Sequence, residues 1–237
     1  MGLRVLRPTA GVNVVMVAQD VATVLVVDDH GTFAELLAGA LDREADLRCV
    51  GHASSGAQAV ELAKDLRPDI VVMDVRLPDI DGFTATRWVL DAVPGATVVI
   101  LTANASAELV SRAAASGASG FLPKDGTLSV VLSTLRNARR GSIIVHPSLL
   151  VGPRPSHAAH GSIRSSPVPV NLTPRELEVL QRMGEGQDVS MIARSLGMAE
   201  STCRGHVRTI LVKLDAHTQL EAVVKAVRRG IISLALD

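Results

Sequence analysis

The chain has 237 residues, 47% of them hydrophobic, and a formal net charge of zero. The apolar fraction is ample for packed cores, which excludes global disorder, and the length suits two domains. The zero hides a split, −4 over residues 21–150 and +1 over 170–237, and an excess that small does not by itself argue for nucleic acid.

Residues 1–20 lack a long apolar core followed by a small-residue cleavage site and read as a dispensable extension, with Met16 as an alternative start to Met1. Residues 21–27 form an apolar run ending in Asp28 and Asp29, and residues 33–41 follow with apolar positions at helical spacing. A short strand is expected at 47–52, then a helix opened by Ser54 and carrying Ala59, Val60, Leu62 and Ala63. Residues 70–73, Ile-Val-Val-Met, are an unbroken apolar run stopped by Asp74, which suits a strand buried on both faces. Leu77-Pro78 and Asp81-Gly82 then turn the chain, with Gly82 expected at positive φ. Further alternation gives a helix at 83–92, a strand ending at Thr102 and a helix at 106–115 stopped by Gly117. A strand at 120–122 precedes Pro123-Lys124, and a last helix shows Leu128, Val131, Leu132 and Leu135 on one face. Five strand–helix alternations predict a doubly wound, five-stranded parallel sheet.

Residues 151–170 are rich in Pro, Ser, Gly and His and read as a flexible linker. His157 and His160 lack further ligands there, so no metal is expected. Beyond the linker Thr173 caps a helix, Pro174 takes its first position and Glu176 completes a capping box. Asp188 opens a short helix stopped by Gly197, another runs from Ala199 to Leu214, and the last spans about 218–229. Four short helices, two of them joined by a tight Gly turn, fit a small all-α helix-turn-helix domain over 171–237.

In a parallel sheet the ends of the strands share one rim, which collects Asp28, Asp29, Asp74, Thr102 and Lys124. Three carboxylates, a hydroxyl and an ammonium make no sense as packing there. They suit a phosphoryl-accepting site: carboxylates for a hard cation such as Mg²⁺, and Lys and Thr for the remaining phosphoryl oxygens. Asp74 would be the nucleophile. Cys49 and Cys203 lie far apart without metal spacing and read as reduced core thiols of a cytoplasmic protein. No run approaches the roughly 18 apolar residues of a membrane span, so no membrane partner is expected.

This order and spacing resemble the receiver domain of two-component response regulators, whose fold is flavodoxin-like, over a domain set at 21–150. The resemblance implies phosphorylation of Asp74 by a sensor histidine kinase. It further implies direct Mg²⁺ binding by Asp29 and by the backbone carbonyl of Arg76, and contact through water by Asp28. Thr102 and Lys124 match the family's hydroxyl and lysine, and Phe121 its aromatic switch, able to rotate inward when Thr102 moves. Arg76 and Asn104 match positions flanking the attacking water and would affect how long the phosphate lasts.

The second domain resembles the LuxR-type helix-turn-helix of the NarL/FixJ group through Leu172-Thr173-Pro174-Arg175-Glu176, Ile192-Ala193, Leu196-Gly197, Ser201-Thr202, His206-Val207 and Lys213-Leu214. Its helix at 199–214 would then be the recognition helix, burying Cys203, Val207, Ile210 and Leu211. Ser201, Arg204, Gly205, Arg208 and Thr209 lie on the opposite face. Arg204, Gly205 and Arg208 would face base edges, with Thr202 and Lys213 nearer phosphates. Ala199 departs from the family's capping Ser, and Gly205 offers no side chain to a base. The final helix is apolar enough either to dimerise or simply to pack on its module.

The expected protein is a cytoplasmic transcriptional regulator, not an enzyme, binding double-stranded promoter DNA as a homodimer. Two alternatives remain: the same architecture controlled by a ligand or partner without phosphorylation, and an aspartyl-phosphate phosphatase. The latter would usually place its nucleophile in an Asp-x-Asp pair on the first strand, where this chain has adjacent carboxylates.

Overall fold

The structure is a computed structural model and describes residues 21–103, 105–139 and 170–233. The expectations for residues 1–20, for Asn104 and for most of the linker lie outside the described residues. In chain order the first domain runs β1 (Ala22–Val27), α1 (Gly31–Leu41), β2 (Leu47–Ala53), α2 (Gly56–Leu66) and β3 (Ile70–Asp74). It continues with α3 (Gly82–Ala92), β4 (Thr97–Thr102), α4 (Ala107–Ala115), β5 (Gly120–Pro123) and α5 (Leu128–Arg139). The second domain has α6 (Pro174–Gly184), α7 (Val189–Ser195), α8 (Glu200–Leu214) and α9 (Gln219–Arg228).

All strand pairings are parallel, in the order β2-β1-β3-β4-β5. Every residue of β3 is buried, as expected for a strand covered on both faces. Alternate strand residues feed two layers. On one face Val24, Val26, Val72 and Leu101 meet Leu37 and Leu41 of α1 and Val131, Leu132 and Leu135 of α5. On the other, Leu25, Val27, Val71 and Met73 meet Ala59 and Ala63 of α2 and Ala85 and Val89 of α3. Leu128, expected on the inner stripe of α5, is 49% exposed. The strand order reverses between β1 and β3, where open α/β sheets hold their ligands.

The helix starts follow local chemistry. Ser106, Thr173, Asp188 and Thr218 each accept a backbone N–H at the start of their own helix, and Thr173 and Glu176 form the expected capping box. Ser55, rather than Ser54, caps α2. The core of the second domain joins α6 (Val179, Leu180, Met183), α7 (Ile192, Ala193), α8 (Cys203, Val207, Ile210) and α9 (Leu220, Val223). That cluster continues into Val110, Ala113 and Ala114 of α4 and Phe121 of β5, because α9 packs on α4.

One correction concerns the turn after β3. Gly82 does not have positive φ, unlike Gly117, Gly186, Gly197 and Gly230. What it needs is space: a Cβ there would lie 1.9 Å from the carbonyl oxygen of Asp74, while its own N–H donates to Val75 O at 2.9 Å. The loop is also fixed from a distance. Asp79 accepts from Gly56 N and Ala57 N, both at 2.8 Å, so it ties the turn beyond Asp74 to the start of α2. The Ala57 bond leads the causes that hold the Asp79 carboxyl below its usual pKa.

Gly82→Ala is expected to force the backbone beside Asp74 apart at a cost of about 1–3 kcal/mol. Gly39→Ala, on the exposed side of α1 with nothing near its Cβ position, should stabilise by about 0.5–1 kcal/mol. Urea unfolding of both variants checks the contrast; equal effects would show that the Gly82 contact is relieved without cost.

Candidate functional site

The rim above β1 and β3 gathers four of the expected groups. Asp28 and Asp29 follow β1, and Val27 pairs in register with Met73, which sets them beside Asp74. Lys124 follows β5 and is held by its own N–H, which donates to Thr102 O at 2.8 Å. Its ammonium lies 2.6 Å from Asp28 Oδ2 and 3.0 Å from Asp74 Oδ2, and 5.0 Å from the centroid of the Phe33 ring. Burial alone would lower the Lys124 pKa, but hydrogen bonds to Asp28 and Asp74 together outweigh it and hold the group above the usual lysine value. Asp28 and Asp74 are nearly fully buried, 2% and 4% exposed, so each carboxylate needs that cation.

Thr102 ends β4, buried, next to β5. Phe121 is fully buried, in register with Ile100. Its ring lies out of solvent in the cluster that joins α4 to the second domain. Arg76 is exposed, two residues beyond Asp74. One residue the sequence reading passed over joins the group: His30 Nδ1 lies 2.9 Å from Asp29 Oδ1 and 3.3 Å from Asp28 Oδ1. Its signal was its place directly after Asp28-Asp29.

One ligand atom each from Asp28, Asp29, His30 and Asp74 all fall within 4.8 Å of one another. Carboxylate oxygens clustered so tightly suit a hard divalent cation, which would relieve their mutual repulsion. The chemistry of the donor set therefore fits the metal that receiver domains generally bind.

In the second domain, α8 buries Cys203, Val207, Ile210 and Leu214; Leu211, expected on that face, is only partly buried. Burial raises the Cys203 pKa, while Cys49 is only half-buried and so is not the core thiol expected. Ser201, Thr202, Arg204, Gly205, Arg208 and Thr209 are exposed. Ala199 makes no side-chain cap, as its lack of a hydroxyl dictates. Arg204 reaches back to Glu200 at 3.5 Å. Val212, 76% exposed and four residues after Arg208, stands on the same face, and the sequence analysis did not single it out.

Lys213 needs a correction. Its ammonium lies 2.7 Å from Glu176 Oε2 and 2.9 Å from Asn171 O. Burial works to raise the Glu176 pKa, but the bonds from Lys213 and Thr173 outweigh it and leave the carboxyl below its usual range. Glu176 is 5% exposed and also closes the capping box of α6, so Lys213 fastens α8 to α6 rather than standing free for phosphate.

No helix among the described residues is long and apolar enough to cross a membrane. Family models match at both ends of this architecture: a response regulator receiver domain over residues 24–136, and the LuxR family of bacterial regulatory proteins over 170–226. The chain is 34% identical to the transcriptional regulatory protein NarL of Mycobacterium tuberculosis over 209 residues, covering 88% of this chain and 95% of that one. It is 31% identical to the nitrate/nitrite response regulator NarL of Escherichia coli over 206 residues, 87% and 95% of the two chains. The receiver domain of the M. tuberculosis NarL response regulator superposes with a TM-score of 0.50 at 32% identity, covering 52% of this chain and 98% of that domain. A receiver domain with a buried Lys–Asp rim, followed by a LuxR-type helical module, places the chain in the NarL-type family of transcriptional response regulators.

Proposed function

We propose that Asp74 accepts a phosphoryl group from a sensor histidine kinase, with Mg²⁺ held at the acidic rim, and that this modification controls promoter binding by a homodimer. The observation that carries the reading is the Lys124 ammonium bridging Asp28 and Asp74 at the rim of the sheet. Asp29, Asp74 and the backbone carbonyl of Arg76 would hold the ion, with Asp28 acting through water. When bound, such an ion neutralises charge on the phosphoryl group in transit. A carboxylate oxygen of Asp74 forms the new O–P bond as the N–P bond of the donor phosphohistidine breaks, and the imidazole nitrogen keeps that electron pair. Lys124, already charged, turns from the Asp74 carboxylate to a phosphoryl oxygen, and the Thr102 hydroxyl donates to another.

The α4–α9 contact supplies the route to the output domain. Thr102 ends β4 and α4 begins at Ala107, so a shift of Thr102 toward the phosphoryl group acts on the start of α4. Because Phe121 is already buried against that cluster, its part is repacking rather than entry from solvent. Repacking there would loosen α4 from α9 and free the apolar face of α9 to pair with a second copy. On DNA, Arg204 and Arg208 would grip base edges from α8, Ser201 and Thr202 would approach the backbone, and Gly205 would let α8 lie close. With promoter DNA as its target, this reading puts the protein in the cytoplasm.

Incubation with acetyl phosphate and Mg²⁺ is expected to add the mass of one phosphoryl group to the wild type and none to Asp74→Asn; Asp29→Asn should label weakly. Equal labelling of wild type and Asp74→Asn would refute the assignment.

On DNA selected by the protein itself, Arg208→Ala should cost about 1–3 kcal/mol on the specific site and relax preference at one base pair per half-site. Equal weakening on scrambled DNA would make Arg208 a backbone contact instead.

Lys213→Ala should behave differently, because it leaves Glu176 buried without its cation. A loss of about 1–3 kcal/mol from the second domain is expected. Glu176 has a depressed pKa when folded, so its contribution is present above its unfolded pKa and lost as pH falls through the folded value. The stability gap between wild type and Lys213→Ala should therefore close in acid, which urea titrations across pH would measure. A gap that persists unchanged in acid would mean that the pair contributes nothing specific.

A further inference from the structure

The outward side of α8 carries two different rows of residues. Arg204 and Arg208, four residues apart, form the cationic row assigned above to base edges. Beside it stand Gly205, Thr209 and Val212, whose spacing of four and then three stacks them along one line of a helix with 3.6 residues per turn. That line lies opposite the buried Cys203, Val207, Ile210 and Leu214, so it points away from the module. We infer that this second row is an apolar lane that receives the C5-methyl group of a thymine, so that each half-site carries a thymine beside the base pair gripped by the arginines. The inference rests on α8 being the helix that enters the major groove, as proposed above, and adds what that helix selects.

Nothing inside the module accounts for the lane. Gly205 lies within α8, where glycine weakens a helix relative to alanine. A Cβ there would meet nothing within 4 Å, so no contact inside the protein requires its absence. Val212 is 76% exposed, the highest value among the exposed large apolar side chains of the described residues. Its β-branched side chain also loses rotamer freedom in a helix. A lone exposed valine is ordinary on a protein surface; this one continues the line of the gap at Gly205. Between them Thr209 Oγ1 donates to Gly205 O at 3.1 Å, so its one proton is turned back to the helix rather than offered to a base.

The chemistry of the groove then names the partner. In the major groove the bases show hydrogen-bond donors and acceptors, and one apolar group, the thymine methyl. With no side chain at Gly205, α8 can come closer to the base edges there and leave space for that methyl. Thr209 and Val212 would shield it from water on the same line. Cytosine, the other pyrimidine, has no methyl to place in the lane and is disfavoured.

The test uses full-length protein treated with acetyl phosphate and Mg²⁺, and duplexes that the wild type selects from random sequence. Each thymine of one half-site is replaced in turn by deoxyuridine, which lacks only the methyl. At one of these positions the replacement should weaken wild-type binding about fourfold, the effect of one buried methyl group. Gly205→Ala should melt at a higher temperature, which shows that it folds, yet bind the thymine duplex about tenfold more weakly. On the deoxyuridine duplex it should recover most of that loss, because its new methyl fills the space that the thymine methyl has left. Val212→Thr, of the same shape but with a hydroxyl, should discriminate less between the two duplexes. A selected site without an invariant thymine, or an equal penalty for Gly205→Ala on both duplexes, overturns the inference while α8 remains the reading helix. If Arg204→Ala, Arg208→Ala and Gly205→Ala all leave binding unchanged, α8 is not in the groove and both readings fall.

Discussion

The Lys124 ammonium, lodged between the carboxylates of Asp28 and Asp74, is the interaction on which the first domain depends. Two carboxylates nearly out of solvent would repel each other and lose hydration; one shared cation offsets both. The residues come from the ends of β1, β3 and β5, so the pair forms only when the sheet is assembled in its register. The site thereby reports on the integrity of the whole fold. Its supports lie one step back: Gly82 lets the backbone pass the Asp74 carbonyl, and Asp79 anchors the same loop to α2.

The second domain repeats this economy with one ion pair. Glu176 ends up buried because its side chain turns back to cap α6, and Lys213 comes from α8 to neutralise it. The pair sets α8 against α6 and so sets the angle at which Arg204 and Arg208 leave the module. A residue that looks like a phosphate contact from its position on the helix is spent on orientation instead. Between the domains, α9 lies with part of its apolar surface against α4, so the last helix of the output module is also the one in contact with the receiver.

Much of this was legible in the chain itself. Apolar runs broken by Asp28, Asp74 and Thr102 determined the parallel sheet and the membership of its rim, since a strand buried on both faces must be apolar and must end where polar groups begin. Thr173, Pro174 and Glu176 determined the start of α6 because a capping box is a contact within four residues. What only the tertiary structure decided involves partners distant in sequence. Asp79 meets Gly56 across 23 residues, and Lys213 meets Glu176 across 37, so no local pattern encodes either bond. The use of Gly82 was misread for the same reason: its neighbour is the carbonyl of Asp74, eight residues back, and a close approach leaves no mark on periodicity. Leu214 rather than Leu211 completes the buried stripe of α8, because that stripe is set by what the neighbouring helices cover and not by hydrophobicity alone. Local chemistry chose the elements; packing between them decided which charges are paired, which glycine is compressed and which apolar side chain faces water.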